Sequence, residues 1–243
     1  MSSATLALSL LAHIGHLPAA WTLSAPTWTA SLSSSAAATA STSSSPRQNN
    51  GAVNSAPIRT GQVIFLNGTS SSGKSSIAEQ LLLVLDRPFF HMSVDAINAM
   101  RARERTLELG PDELADVLAR TRAGFHRAVA GMAQAGNDLV VDYVLSEQWR
   151  LLDCLAVLSG LDVVFVGVRC SEQELARREK ARDDRQPGQA AAQLRQVHSY
   201  GSYDIECDTT TASPRDCALS IKQSLDQLPI PRAFDRLRTA LPG

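Results

Sequence analysis

Long apolar runs are missing from this 243-residue sequence, and no stretch approaches the roughly 18 apolar residues of a membrane-spanning helix. We therefore expect no membrane span. Paired cysteines are missing as well, because the four cysteines lie far apart and form no Cys-x-x-Cys motif. This spacing predicts buried free thiols and no metal site. The cysteines are Cys154, Cys170, Cys207 and Cys217.

Acidic residues are missing from the first 60 residues, whose fixed charges are Arg47 and Arg59. Residues 30–45 are rich in Ser, Thr and Ala, which bury too little apolar surface to offset the entropy lost on ordering. We expect residues 1–60 to be a disordered leader and residues 61–243 to form one domain with a single core. A translation start near residue 61 and an organellar transit peptide remain open alternatives for the leader.

The short apolar patch at residues 5–12 has no preceding Lys or Arg and is followed by His13 and His16. A secretory signal is therefore not predicted, and we expect a cytoplasmic protein. The formal net charge of the chain is -1, and removing the two leader arginines leaves about -3 for the domain. Binding to nucleic acid requires a basic face, so a nucleic-acid partner is not expected.

Lysine is rare, with three in the chain, and Lys74 lies in a stretch that fits Gly-x-x-x-x-Gly-Lys-[Ser/Thr]. In this motif backbone amides hold phosphates, the lysine reaches the β- and γ-phosphates, and the final hydroxyl binds Mg²⁺. An apolar run precedes it and an amphipathic run follows, which favours a phosphate-binding loop over a flexible Ser/Gly turn. The predicted nucleotide-binding residues are Gly68, Thr69, Ser70, Ser71, Ser72, Gly73, Lys74, Ser75 and Ser76.

Continuous apolar runs alternate with helical patterns along the rest of the chain. This alternation predicts an α/β fold with a five-stranded parallel sheet covered by helices on both faces. The predicted strands cover residues 62–67, 89–94, 138–142, 161–169 and 203–208. The tail Pro231–Leu241 has an apolar face that packs either on the domain or on a second subunit, so a homo-oligomer stays open.

Two carboxylates follow predicted strands, at the sheet edge where α/β proteins bind ligands. Asp95 is interpreted either as a group that accepts a proton or helps to hold Mg²⁺, or as the N-cap of the next helix. Asp142 follows Leu-Val-Val and is predicted to hold Mg²⁺ together with Ser75. A turn carboxylate is the alternative for Asp142.

A charged segment at residues 176–188 contains Arg182 and Arg185, which are spaced to share one helical face. Such a segment is either a solvated helix face or a mobile lid whose cations meet the γ-phosphate. His198, just downstream, is interpreted equally as a packed or surface residue and as a catalytic one.

Taken together, several motifs resemble the chloramphenicol 3-O-phosphotransferases from about residue 61 to about residue 228. They are Gly68–Ser75, Val94–Asp95, Val166–Cys170, Ala181–Arg185, Val197–His198 and Tyr203–Thr210. The resemblance implies a shikimate-kinase-like P-loop kinase fold, ATP and Mg²⁺, and a lid. It also implies that Asp95 deprotonates the acceptor hydroxyl and that Arg182 and Arg185 are the lid arginines. The stretch Met100–Gly131, which builds part of the acceptor pocket in such enzymes, does not align with them.

The leading hypothesis is therefore a kinase that moves the γ-phosphoryl group of ATP to a small-molecule hydroxyl. Chloramphenicol, which phosphorylation would inactivate, is the first candidate acceptor. Lys74 and the loop amides would hold the phosphates. Two rival hypotheses are a kinase of another alcohol or nucleoside and a P-loop ATPase switch with a protein partner. A GTPase switch is disfavoured because the sequence has no Asn-Lys-x-Asp signature.

Overall fold

The computed structural model describes residues 59–181 and 189–241. Their strands form one parallel five-stranded sheet in the order β2-β3-β1-β4-β5. This confirms the predicted α/β class and its parallel sheet. The strands are β1 (Gln62–Asn67), β2 (Phe89–Ser93), β3 (Asp138–Tyr143), β4 (Asp162–Arg169) and β5 (Ile205–Asp208). Residues 1–58 of the leader, Arg182 and Arg185 lie outside the described residues, so the disordered leader and the arginine lid stay predictions.

Helices connect successive strands and cover both faces of the sheet. A short 3₁₀ helix, Leu225–Gln227, follows the helix Pro214–Ser224. Among the described residues no helix is long and apolar enough to cross a membrane. The helices are α1 (Lys74–Val84), α2 (Val94–Ala99), α3 (Arg103–Leu107), α4 (Pro111–Gln134), α5 (Gln148–Val157), α6 (Glu172–Lys180), α7 (Gln189–Val197), α8 (Pro214–Ser224) and α9 (Ala233–Ala240).

The central strands are apolar on both sides because each face packs against helices. Along β1, Val63 and Phe65 contribute to a core with α4, α5 and α9, while Ile64 and Leu66 contribute to a core with α1 and α8. All four are at most 1% exposed. Full burial of such a side chain contributes about 1.5–3 kcal/mol, so the alternating sides of β1 join both helical layers to the sheet.

The C-terminal tail packs on this domain through α9. Phe234 is 1% exposed, and its ring centroid lies 5.7 Å from that of Phe65 and 5.0 Å from that of Phe165. The apolar face of the tail is therefore covered by the sheet. Of the two alternatives left open by the sequence, the described residues favour packing on the domain itself.

Four predicted strand boundaries differ from the structure. Strand β3 ends one residue later than predicted, at Tyr143, and β4 begins one residue later, at Asp162. The other two differences, at the end of β2 and the start of β5, have a local cause. Val94 begins α2, because the Ser93 side chain accepts a hydrogen bond from the Ala96 amide at 3.2 Å and caps the helix. Strand β5 begins at Ile205, because the Asp204 carboxylate instead accepts hydrogen bonds from backbone amides of β4 and α9. The four cysteines are free, as predicted, although Cys207 is only partly buried.

Candidate active site

The loop between β1 and α1 has the backbone conformation that its glycines allow. A Cβ on Gly68 would lie 2.6 Å from the Val168 carbonyl oxygen and 2.7 Å from the Ser72 hydroxyl, so no side chain fits there. Gly73 has a φ of 91° and Ser71 a φ of 61°, both in the left-handed region. Helix α1 then begins at Lys74, which places the motif at a helix N-terminus that favours anions.

The loop is supported from behind by α6 and the end of β5. The Thr209 hydroxyl donates to the Ser72 carbonyl oxygen at 2.8 Å. The Arg178 guanidinium donates to the Thr209 carbonyl at 2.6 Å and to the Ser71 carbonyl at 3.4 Å. Sequence reasoning assigned no role to Arg178 and quoted Thr209 only within the resemblance. Both residues fix carbonyl groups of the loop and so help to hold its shape.

Asn67, the last residue of β1, is fully buried and joins three segments. Its side-chain amide donates to the Val197 carbonyl and to the Tyr203 hydroxyl, each at 2.9 Å. Its side-chain oxygen accepts a hydrogen bond from the Leu145 amide at 3.0 Å. The start of the phosphate-binding loop is thereby tied to the segments that follow β3 and α7.

Ser75 and Asp142 meet beside the loop. The Ser75 hydroxyl donates to one Asp142 carboxylate oxygen at 2.5 Å, and the Lys74 ammonium lies 3.9 Å from the other. Lys74 also donates to the Thr69 carbonyl oxygen at 2.8 Å. These oxygen atoms are of the kind that Mg²⁺ prefers, together with phosphates and water. Ser75 and Asp142 therefore fit the predicted metal site.

No group of three or more His, Cys, Asp or Glu side chains in the described part of the chain could hold a metal ion. This agrees with the chemistry of Mg²⁺, which is usually bound through one or two protein groups and the phosphates of its nucleotide.

Asp95 lies in the first turn of α2 and is exposed. The N-cap of this helix is Ser93, so the interpretation of Asp95 as the cap is wrong. Ser93 pairs in register with Asp142, because β2 and β3 are parallel neighbours. The ends of both strands therefore bring Asp95 to the same sheet edge as Asp142.

His198 is packed against Tyr203. Its Nδ1 lies 2.8 Å from the Tyr203 hydroxyl, and its Nε2 is buried without a hydrogen-bond partner in the described part of the chain. Burial, with the nearby charge of Arg169, lowers the pKa of His198 to about 4, and burial raises the pKa of Tyr203 to about 12. Of the two interpretations of His198, the structure favours the packed residue.

A second polar group lies at the same edge and was not singled out from the sequence. We call Arg122, Tyr143, Glu147 and Arg150 the Arg122–Tyr143 cluster. Burial lowers the pKa of Arg122, and the charge of Arg150 lowers it further, while Tyr143, Glu147 and Asp95 act in the opposite direction. Arg150 is 8% exposed and pairs with Glu147. Asp95 is thus close enough to the cluster for its charge to act on Arg122.

The sheet order, the loop at the N-terminus of α1 and the Ser75–Asp142 pair are those of a P-loop nucleotide-binding protein. Its family places it among the P-loop kinases, phosphotransferases that act on small molecules. Residues 61–226 match the family described as “Chloramphenicol phosphotransferase-like protein”, and the chain belongs to this family. This confirms the resemblance inferred from the motifs.

One relative is “Putative O-phosphotransferase Rv2636” of Mycobacterium tuberculosis strain H37Rv. It is 32% identical over 208 residues, which cover 75% of this chain and 90% of the relative.

Solved structures share the fold. The Mycobacterium tuberculosis APS kinase CysC, in complex with AMPPNP and APS, has a TM-score of 0.53 and 18% identity and covers 69% of this chain and 98% of its own. The Deinococcus radiodurans tunicamycin resistance protein has a TM-score of 0.51 and 18% identity, over 70% of this chain and 99% of its own. At this identity the likeness concerns the fold alone.

Proposed function

We propose that this protein transfers the γ-phosphoryl group of ATP to a hydroxyl of a small molecule in the cytoplasm, with Mg²⁺ as the metal. The observation that carries the proposal is the meeting of Ser75 and Asp142 beside the phosphate-binding loop, 2.5 Å apart. A phosphate-binding loop alone would serve any nucleotide-binding protein. A hydroxyl and a carboxylate at its metal side add the ligands for the Mg²⁺ of a bound nucleotide. P-loop ATPases use the same two groups, and the family match over residues 61–226 supports a transferase over an ATPase switch.

The loop amides and Lys74 would bind the β- and γ-phosphates. Ser75 and Asp142 would hold Mg²⁺, which supplies positive charge against the phosphate oxygens. Asp95 would accept the proton of the acceptor hydroxyl, whose oxygen then attacks the γ-phosphorus. The bond from that phosphorus to the β-γ bridging oxygen breaks, and ADP leaves. Arg182 and Arg185 would stabilise the charge that spreads over the transferred group.

Chloramphenicol is the candidate acceptor suggested by the family description. Transfer to its hydroxyl would inactivate the antibiotic. A second candidate acceptor, an alcohol that carries a negative charge, is favoured by the arginines of the Arg122–Tyr143 cluster next to Asp95.

The proposal is tested by incubating the purified protein with ATP, Mg²⁺ and chloramphenicol and by measuring ADP release and the mass of the product. Asp95→Asn should lower kcat about 10²- to 10⁴-fold, the usual contribution of a general base. Its affinity for ATP should stay within about twofold, because Asp95 lies outside the phosphate-binding loop.

Asp116→Asn is the matched control, since Asp116 is an exposed carboxylate on α4. It should keep the activity of the unmodified protein. If Asp95→Asn also keeps its kcat, the proposed role of Asp95 is wrong. If the protein binds ATP but does not phosphorylate chloramphenicol, chloramphenicol is refuted as the acceptor and the proposed kinase function stands.

A further inference from the structure

The Arg122–Tyr143 cluster contains hydrogen-bond donors that have no partner among the described residues. We infer that the acceptor carries an anionic group, such as a carboxylate or a phosphate, and that this group binds between Arg122 and the Tyr143 hydroxyl. The inference rests on the proposed function, because Asp95 marks where the acceptor hydroxyl would lie. It adds the chemical class of the acceptor.

Helix α4 brings the cluster together. Arg122, Phe125 and His126 are separated by three and four residues and therefore lie on one face of the helix. The rings of Phe125 and His126 pack on the Tyr143 ring, with centroids 5.4 Å and 5.2 Å apart. Arg122 is thus held one turn along α4 from these contacts, within electrostatic range of Tyr143 and Asp95.

Arg122 has no anionic partner of its own. It makes no hydrogen bond or ion pair with any residue in the ranges 59–181 and 189–241, although it is partly buried. The nearby Glu147 is already engaged, since it pairs with Arg150 and accepts a hydrogen bond from the Trp149 indole at 2.6 Å. A partly buried guanidinium without a counter-ion is unfavourable, so Arg122 has a charge that an external anion would neutralise.

The neighbouring unpaired groups are donors as well. The Tyr143 hydroxyl and the Arg150 Nε are buried without a hydrogen-bond partner among the described residues. Burial raises the pKa of Tyr143 well above its usual value, so the hydroxyl keeps its proton. The guanidinium groups donate and cannot accept. Arg122 and Arg150 both lie within electrostatic range of Tyr143. Neighbouring donors without an acceptor are matched by an oxygen-rich anion, which accepts only.

Arg150 is held in place by the protein, and this explains why the site can hold the anion in one position. Besides Glu147, Arg150 donates to the Ser146 hydroxyl at 3.0 Å and to the Val144 carbonyl at 3.3 Å. These contacts fix its guanidinium before any ligand binds. A fixed donor loses little entropy on binding, and this favours a specific site over a loose attraction to charge.

The test is a screen of small hydroxyl compounds for acceptor-dependent ADP release at saturating ATP and Mg²⁺. The screen includes chloramphenicol and matched pairs that differ in charge: glycerate with glyceramide, gluconate with gluconamide, and glucose 6-phosphate with glucose. The anionic members should be the better acceptors. An anionic hit is then used to measure the variants.

Arg122→Gln should raise the KM of the anionic acceptor about 10- to 100-fold, as expected for loss of a hydrogen bond between charged groups. Its kcat and its affinity for ATP should change less than about threefold. Arg122→Lys, which keeps the charge, should recover part of the loss. Arg120→Gln removes the same charge from an exposed position two residues away and should leave the KM unchanged.

Three results would decide the matter differently. If neutral hydroxyl compounds are the good acceptors, and Arg122→Gln behaves as Arg120→Gln does, the anionic acceptor is refuted while the kinase function stands. If the hit is anionic but Arg122→Gln keeps its KM, the assigned binding position is refuted. If no hydroxyl compound of either charge releases ADP although ATP binds, the proposed function itself fails, and the inference fails with it.

Discussion

Replacing Asn67 by alanine is expected to destabilise the domain and to disturb nucleotide binding at the same time. Asn67 is fully buried, and its side chain forms three hydrogen bonds across three segments. Alanine removes all three. The three former partners of Asn67 differ in whether another hydrogen bond remains to them, and this difference sets the expected loss of stability.

The Leu145 amide is left without its side-chain acceptor, which costs about 1–3 kcal/mol for a buried polar group. The Val197 carbonyl and the Tyr203 hydroxyl keep each other as partners at 3.3 Å, so only the net value of two hydrogen bonds is lost there. At about 0.5–1.5 kcal/mol each, these bonds bring the total to about 4 kcal/mol. This is a large part of the 5–15 kcal/mol or so that stabilises a typical domain.

The free energy of unfolding is measured by urea denaturation, with Gln62→Ala as the control. Gln62 lies on the same strand, and its side chain donates to Asp162 at 2.8 Å in an exposed position. That variant should lose less than about 0.5 kcal/mol. ATP affinity is measured in parallel and should fall only in Asn67→Ala. A loss below about 1 kcal/mol in Asn67→Ala would refute the role of Asn67 in tying the loop to the rest of the domain.

Two further predictions concern the loop and its surroundings. Gly68→Ala would place a Cβ 2.6 Å from the Val168 carbonyl oxygen. Such overpacking costs about 1–3 kcal/mol, so ATP binding should weaken about 5- to 150-fold. The control is Gly124→Ala, which adds a Cβ in open space on α4 and should bind ATP normally. Because the pKa of His198 is lowered from 6.5 to about 4, the unfolded chain takes up a proton over this pH range and the folded one does not. Stability should therefore fall between pH 6.5 and 4 by about 1–2 kcal/mol, a value reduced for the partial exposure of His198. In urea unfolding, His198→Gln should therefore differ less in stability from the unmodified protein at pH 5 than at pH 7. If the variant and the unmodified protein have the same pH dependence, His198 is not the buried neutral group that causes the loss.

The sheet could be predicted because its signal is local. Buried parallel strands need continuous apolar runs, and β1, β3 and β4 have them. The ends of strands depend on neighbours that local patterns do not reveal. Tyr203 reads as a strand residue, but its ring packs across Gly167, where a Cβ would lie only 2.7 Å from the ring.

The candidate site divides in the same way. The loop and Asp142 are visible in the sequence because their chemistry follows from a short motif and a strand end. Their supports are not visible, because the contacts join distant residues: Thr209 lies 137 residues from Ser72, and Arg178 lies 107 residues from Ser71. The proposed role of Arg122 was missed for another reason, because an arginine on a helix is usually solvated.

The end of β3 explains how one strand can serve both halves of the proposed reaction. Asp142 and Tyr143 are consecutive, so their side chains project to opposite faces of the sheet. Asp142 meets Ser75 on the face covered by α1, and Tyr143 packs against α4 on the other. Asp95 follows β2, the strand paired with β3. The spacing between bound phosphates and the proposed anion site is therefore set by one strand end, and a change in either face of β3 should alter the alignment of donor and acceptor before it alters the affinity for ATP.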